Sequence, residues 1–206
     1  MKQEIEKKYA IKYIPENIKI EKKIDINQCF IYKDKQTLIR LRKVTTIINN
    51  LKQKIEYIYT VKTKGDIEYK KEDKTAQKYE IESNITEEEY SDLIKNRISN
   101  YIDKTRIVIP IDENLKAEID VYYGYLEGLL TLEVEFESVE KADEFIKPDW
   151  FGEEIGYKTL SNRKLSEMTR KEFESKVTKD FIENNKKIVK KLENNKVINF
   201  KNINKF

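Results

Sequence analysis

The strongest constraint on this fold is the strict alternation of charged and apolar residues in the segment LLTLEVEFES. Two glutamates alternate there with three apolar residues, in the order Leu132, Glu133, Val134, Glu135 and Phe136. Because successive side chains of a strand point to opposite faces, the segment predicts a strand with one acidic face and one apolar face. So regular an apolar face has to be covered by other parts of the chain.

The same arrangement recurs in six other segments that are typical of strands. The opening MKQEIEKK places Glu4, Glu6 and Lys8 at every second position, so that two carboxylates and an ammonium group share one face. Five later segments do the same with charges of one sign each, at Arg40 and Arg42, Lys62, Glu80 and Glu82, Lys104 and Arg106, and Glu118 and Asp120.

These charged faces allow two architectures. If they point outward, a flat sheet on a few helices is sufficient. If they point inward, the sheet closes into a barrel with a wet, charged lumen and helices packed on the apolar outside. Charged and hydrophobic residues each make up 38% of the chain, which is too much charge to leave wholly outside, so we expect some of it to line an interior cavity.

Composition excludes several kinds of chemistry. The 206 residues include no histidine, which excludes Ser-His-Asp and Cys-His catalysis. Cys29 is the only cysteine, which excludes an intramolecular disulfide and Cys-rich zinc sites. A single cysteine also suits a cytoplasmic location. The balance of 41 basic and 38 acidic residues does not indicate a nucleic-acid surface, and no apolar run is long enough to predict a membrane span. No GxxxxGK phosphate-binding loop is present.

A charged lumen would be satisfied by a short phosphate chain and divalent cations. Arginine and lysine side chains neutralise phosphate oxygens, and carboxylates hold Mg²⁺ or Mn²⁺, which prefer oxygen ligands.

Outside the strands, Thr86 and Glu89 have the spacing of a capping box and predict a helix start. The apolar spacing between residues 163 and 193 predicts one amphipathic helix or a broken pair. The stretches TTIINNLKQK and PDWFGEEIGYKTLSN are predicted to be connections without regular structure. We expect one domain over residues 1–165, with a helix and tail over 166–206 packed on it.

The opening EIEKK resembles the ExExK signature of the CYTH, or triphosphate tunnel metalloenzyme, superfamily. Later motifs follow in the order of that family, over about residues 1–165: Gln28 in a strand, the R-x-R of Arg40 and Arg42, TVK, the carboxylate strand at Glu80, K-T-R, EIDVYYGYLEGL and LEVEFE. The resemblance implies an α+β fold built on an eight-stranded antiparallel β-barrel, the triphosphate tunnel.

The resemblance also implies roles for individual residues. Glu4, Glu6, Glu133 and Glu135 would bind one or two Mg²⁺ or Mn²⁺ ions, with Glu80 and Asp120 as further ligands or supports. The substrate phosphates would be held by Lys8, Arg40, Arg42, Lys62, Lys104, Arg106 and Lys158. Glu4, Glu6 and Lys8 are the predicted catalytic residues. Lys8 would act as a general base only if surrounding cations lowered its pKa, and a phosphate contact is the favoured role.

The function implied by the resemblance is metal-dependent hydrolysis of inorganic triphosphate to diphosphate and phosphate, with nucleoside triphosphates as further substrates. Three alternatives stay open: an adenylyl cyclase of the CYTH type, a thiamine triphosphatase, and a non-catalytic triphosphate or polyphosphate binder. The cyclase branch typically has an early His-Phe element, and this sequence has no histidine. The expected partner is a small molecule containing triphosphate, and the expected state is a monomer or homodimer.

Overall fold

Nine antiparallel strands form one sheet in the computed structural model, which describes residues 2–48, 51–64, 76–155 and 160–194. The α+β class and the antiparallel sheet are therefore confirmed. The strands are β1 (Lys2–Ile11), β2 (Lys22–Lys33), β3 (Thr37–Ile48), β4 (Leu51–Lys64), β5 (Ala76–Ile85), β6 (Ile102–Pro110), β7 (Lys116–Tyr122), β8 (Leu130–Phe136) and β9 (Phe151–Glu154).

The strands follow the order β5-β4-β3-β2-β6-β7-β8-β1-β9, and β5 also pairs with β1. One edge of β1 pairs with β8, from Ile5 opposite Phe136 to Tyr9 opposite Leu132. The other edge is shared, because its first half pairs with β5 and its second half pairs with β9.

The sheet has nine strands, one more than the eight predicted for the barrel, because β9 forms within a stretch that was predicted to be irregular. Its first residue, Phe151, is buried, and the Phe151 ring lies 5.2 Å from the ring of Tyr9 on β1. This aromatic packing and the pairing of Tyr9 with Glu154 hold a strand of only four residues against the sheet.

The predicted connection TTIINNLKQK is also largely strand. β3 continues to Ile48 and β4 begins at Leu51, and the two form ladder pairs such as Thr45 opposite Ile55. The β-branched residues of this segment favour extended backbone. The hairpin therefore extends beyond Arg40, Arg42 and Lys62, the charged positions from which its strands were predicted.

Five α-helices accompany the sheet in the described parts of the chain: α1 (Glu87–Leu93), α2 (Val139–Glu144), α3 (Asn162–Leu165), α4 (Arg170–Lys176) and α5 (Lys179–Asn194). The predicted capping box of Thr86 and Glu89 is confirmed at the start of α1. The amphipathic region after residue 162 is broken, since a second capping box, formed by Thr169 and Glu172, starts α4. None of the described helices is long and apolar enough to cross a membrane.

The apolar faces of the strands are covered by these helices. Ile119, Leu132 and Val134 are fully buried in a cluster that also contains Leu192 of α5. A second cluster joins Ile102 and Tyr122 of the sheet to Leu165, Phe173 and Ile182 of α3, α4 and α5. A third contains Cys29, Leu41 and Tyr90 of α1. The helices of the first and third clusters therefore lie on the strand faces opposite to the charged ones. In the second cluster, Ile102 and Tyr122 share their strand faces with Lys104 and Asp120, so that α3 lies beside the charged side of the sheet.

We expect Ile119→Ala to lower the free energy of unfolding by about 2–5 kcal/mol, because it removes buried methyl groups and leaves a cavity. Ile119 is 0% exposed, whereas Ile146 is 90% exposed. The matched variant Ile146→Ala should therefore change stability by less than about 0.5 kcal/mol. Urea unfolding of the two variants measures this difference, and equal losses would contradict the placement of the core.

Candidate functional site

The charged faces of seven strands and the uncharged face of β2 converge on one cavity of about 380 Å³. Ten of the thirteen predicted site residues line it: Glu6, Lys8, Arg40, Arg42, Lys62, Glu80, Lys104, Arg106, Glu133 and Glu135. Asp120 lies directly behind this wall, fully buried, and contacts two of the lining residues. Glu4 is in β1, but its side chain is outside the described part of the chain, as is the whole of Lys158. The roles predicted for these residues stay predictions.

Strand register explains why residues far apart in the sequence meet in this cavity. In the β1–β8 ladder, Glu6 lies opposite Glu135 and Lys8 lies opposite Glu133. In the β7–β8 ladder, Glu118 lies opposite Glu133. Directly opposed side chains on one face are neighbours, so three adjacent strands bring four carboxylates and one ammonium group together.

One half of the cavity is a buried ion-pair network around Arg106. Its guanidinium donates to Asp120 at 2.7 and 2.8 Å and to Glu133 at 2.6 Å, and it also contacts Glu118. Asp120 accepts a further hydrogen bond from Lys104 Nζ at 2.5 Å, and Glu133 pairs with Lys8 Nζ at 2.7 Å. We refer to these six residues as the buried network.

Electrostatics within the buried network favour the charged forms of Asp120 and Glu133, whereas burial raises the pKa of Glu118. Burial alone would raise the pKa of Glu133, but the charges of Lys8 and Arg106 outweigh it and hold that pKa well below its usual range. Burial would likewise raise the pKa of Asp120, and Arg106 and Lys104 lower it. Both carboxylates are therefore ionised at neutral pH.

The pKa values of the two lysines in the buried network are shifted in opposite directions. Burial lowers the pKa of Lys104 to about 8, and Asp120 offsets only part of this effect. For Lys8 the effect of burial is outweighed by the charges of Glu133 and Glu6, so that its pKa is raised. A general-base role for Lys8 would need a lowered pKa, so its charge state instead suits contact with an anion.

The other half of the cavity contains the pair Arg40 and Arg42. Arg40 Nη2 lies 3.0 Å from Glu80, which also pairs with Lys62 Nζ at 3.0 Å. Arg42 forms an ion pair with Glu82. Burial, and then the charge of Arg40, lower the pKa of Arg42 to about 10. We refer to Arg40 and Arg42 as the arginine pair.

Three buried donors beside this half have no hydrogen-bond partner among the described residues. They are Nε of Arg40, Nε of Arg42 and the amide nitrogen of Gln28. Gln28 is 1% exposed and lines the same cavity. Because buried donors are nearly always paired in folded proteins, these three indicate a site for a ligand with several acceptor oxygens.

The carboxylates have the donor chemistry that Mg²⁺ and Mn²⁺ require. Glu6 and Glu135 face each other across the β1–β8 ladder, and like charges in that position destabilise a sheet unless a cation lies between or beside them. Among the side chains that the structure describes, however, no group of three is arranged to hold a metal ion. Glu133 is instead engaged by Lys8 and Arg106.

Six polar lining residues were assigned no role from the sequence: Gln28, Glu82, Glu118, Ser161, Asn162 and Arg163. Glu82 and Glu118 had a signal, since each shares a face with a predicted site residue. The last three had no periodic pattern, because tertiary contacts bring α3 to the cavity. The Tyr122 hydroxyl donates to Asn162 Oδ1 at 2.9 Å, Lys8 Nζ donates to the Leu160 carbonyl at 3.2 Å, and Leu165 is fully buried.

Asp120→Asn should destabilise the protein by about 3–5 kcal/mol at pH 7, because it leaves Lys104 and Arg106 buried without their shared counterion. The matched variant Glu21→Gln breaks an exposed pair with Lys116, and we expect a loss of about 0–1 kcal/mol. Thermal or urea unfolding gives both values.

The difference in stability between the wild type and Asp120→Asn should also depend on pH. Because the pKa of Asp120 is lowered in the folded protein, its contribution is present above the unfolded pKa, about 3.9, and is lost as pH falls through the folded value. The gap between the wild type and Asp120→Asn should therefore narrow in acid. A gap that is small at pH 7 or constant with pH would contradict the buried network.

Comparison with known proteins gives one relative of this chain and no matching family model. The inorganic triphosphatase of Nitrosomonas europaea is 35% identical over 103 residues, which make up 50% of this chain and 62% of that protein, so the match spans less than two thirds of the relative's length.

Two solved structures resemble the fold over most of the chain. A crystal structure of the inorganic triphosphatase NE1496 has a TM-score of 0.51 and 28% identity, covering 81% of this chain and 95% of that one. Another structure, described as the hypothetical protein NE1496, has a TM-score of 0.53 and 28% identity, covering 81% of this chain and 99% of that one. The chain is therefore similar in sequence and in fold to an inorganic triphosphatase, which agrees with the predicted resemblance to the CYTH, or triphosphate tunnel metalloenzyme, superfamily.

Proposed function

We propose that this protein hydrolyses inorganic triphosphate to diphosphate and phosphate in a tunnel enclosed by β1–β8. The observation that carries the proposal is the convergence of six predicted phosphate-binding side chains on one cavity, namely Lys8, Arg40, Arg42, Lys62, Lys104 and Arg106. The match to the Nitrosomonas europaea inorganic triphosphatase supports the choice of substrate.

The proposed tunnel is an eight-stranded barrel. Its closure rests on β1, which pairs with β8 along one edge and with β5 along part of the other. The remaining strand, β9, then lies outside the barrel wall, beside the second half of β1. In this arrangement the charged faces point into the lumen, and the first and third clusters of buried apolar residues lie between the barrel and the helices.

A triphosphate suits the balance of charge and donors in the lumen. A terminal phosphate group carries about −1.5 to −2 charges near neutral pH, so a short phosphate chain needs several cations close together. Arginine offers a planar fork of donors that matches phosphate oxygens. The unpartnered Nε groups of the arginine pair and the amide of Gln28 would gain acceptors from the same ligand.

We further propose Mg²⁺ or Mn²⁺ as the cofactor. Glu6 and Glu135 would hold the ion, and Glu133 would contribute if it exchanged one of its cationic partners. Glu4 stays a further ligand predicted from the sequence alone. Glu80 and Asp120 would support the site from neighbouring strands. A divalent ion held by these carboxylates would supply electrostatic stabilisation of the charge on the substrate phosphates.

The side chains of the chain itself would bind and orient the substrate. The cations fix the phosphate chain for in-line attack by water on a terminal phosphorus, which breaks the bond to the leaving diphosphate. Charge that develops on the diphosphate is stabilised by Arg106 and by the arginine pair, which are already held in position by carboxylates. Lys8, as a cation, is proposed to contact phosphate.

Purified protein supplied with inorganic triphosphate and Mg²⁺ or Mn²⁺ should release phosphate, and chelation of the metal should stop the release. Glu133→Ala and Glu135→Ala should each lower kcat by at least about a hundredfold, since both lie where metal and substrate are proposed to meet. Glu174→Ala, outside the cavity on α4, serves as the control.

Parallel assays on ATP and on thiamine triphosphate distinguish the alternatives. Cyclic AMP from ATP would indicate the cyclase, and faster hydrolysis of thiamine triphosphate would indicate the thiamine ester as substrate. Tight triphosphate binding without any product would indicate the binding module. Any of these results would overturn the proposed activity.

Arg42→Gln should raise KM for triphosphate by about tenfold or more, because it removes a buried charge-assisted donor from the cavity. The exposed Arg97, which stacks on the ring of Tyr101 outside the cavity, provides the matched control Arg97→Gln. We expect its KM to equal that of the wild type. Steady-state kinetics decide the matter, and equal KM values for all three proteins would exclude Arg42 from substrate binding.

A further inference from the structure

The two carboxylates that face the arginine pair are held differently. Glu80 has a side chain that is 16% exposed and is fixed between Arg40 and Lys62, each at 3.0 Å. Glu82 has a side chain that is 42% exposed. It contacts Arg42, lies 3.6 Å from Arg40 and accepts a hydrogen bond from the Thr60 hydroxyl at 3.2 Å.

We propose that Glu82 is a displaceable occupant of the arginine pair, whose carboxylate stands where a phosphate group of the substrate binds and so limits how tightly anions bind the cavity. This inference rests on the proposed function, because it assumes that the arginine pair binds phosphate. Glu82 is thereby assigned as a residue that tunes affinity, which is a different role from metal binding or catalysis.

Carboxylate and phosphate compete for the same donors. Both present oxygens that match the planar fork of a guanidinium, so they form equivalent charge-assisted hydrogen bonds with arginine. The Glu82 carboxylate already engages both members of the arginine pair. A phosphate that approached these donors from the cavity would therefore have to displace it.

Exposure decides which carboxylates of the cavity can be displaced. Asp120 and Glu133 are 0% and 7% exposed, and breaking their pairs with Arg106 would leave buried charges without partners. Glu82 is more than twice as exposed as Glu80 and is attached to the cavity wall chiefly through the arginines and Thr60. Since an exposed ion pair contributes little free energy, moving the Glu82 side chain into water costs little.

In the absence of substrate, Glu82 also keeps the arginine pair together. Arg40 and Arg42 lie on the same face of β3, two residues apart, and repel each other. Glu82 offsets that repulsion until a stronger anion arrives. Small anions that reach only the arginine pair gain little by displacing it, whereas a triphosphate also reaches Lys62, Lys104 and Arg106.

The test compares Glu82→Gln with the wild type by isothermal titration calorimetry, with inorganic triphosphate as the probe and EDTA present to prevent hydrolysis. Loss of the competing charge should lower Kd about two- to fivefold, the amount that one exposed ion pair contributes. Titrations with inorganic diphosphate should show a gain of similar size. The matched control is Glu174→Gln, because Glu174 forms an exposed pair with Arg170 at 2.7 Å on α4, and its Kd should not change.

A second variant, Glu82→Ala, guards against an effect specific to glutamine and should tighten binding in the same way. Equal or weaker triphosphate binding by both variants, with melting temperatures like that of the wild type, would overturn this inference alone. It would then follow that Glu82 positions the arginine pair for the substrate and does not compete with it. Failure of the wild type to bind triphosphate, with or without Mg²⁺, would overturn the proposed function and this inference together.

Discussion

The ion pairs around Arg106 are the interaction on which the rest of this structure depends. A sheet that turns its charged faces inward has to satisfy those charges without the help of bulk water, and unpaired buried charges are very costly. Asp120 solves this problem for β6 and β7, and Glu133 extends the solution to β1 and β8. The apolar faces are then free to pack against the helices, so the network determines which side of the sheet becomes the core.

Stability and ligand binding place conflicting requirements on the cavity, and its two halves meet them to different degrees. A strong and permanent network holds strands together but leaves its cations already neutralised, which weakens their attraction for a ligand. The half around Arg106 is of this kind. Among the described residues, the half around the arginine pair keeps three buried donors without a hydrogen-bond partner and one exposed carboxylate, so more of its donors are available to an incoming anion. The half around Arg106 therefore contributes more to stability, although its cations line the same cavity.

Most of the strands and their charged faces could be predicted from the sequence, because successive side chains of a strand point to opposite faces. The alternation at Glu4, Glu6 and Lys8, and at Glu133 and Glu135, identifies the strands and the faces that bear charge, and the alternating apolar residues identify the covered faces. Periodicity does not reveal which residues meet across strands. The contacts of Arg106 with three carboxylates depend on register. The strand β9 and the helix α3 depend on aromatic and apolar packing at Phe151 and Leu165, for which short segments carry no pattern.

The shared edge of β1 has a consequence for how the chain acquires this site. Ile5 pairs with Phe136, Tyr9 pairs with Glu154, and Glu6 pairs with Ala76, so the first strand finds all its partners far along the sequence. Contacts of such large separation have to overcome a high loop-closure entropy before they stabilise anything, and they slow folding. Hairpins such as β3–β4 can form from local contacts alone. We therefore expect Glu6 and Lys8 of β1 to join the cavity late in folding, after the hairpins that carry the cations of the middle strands.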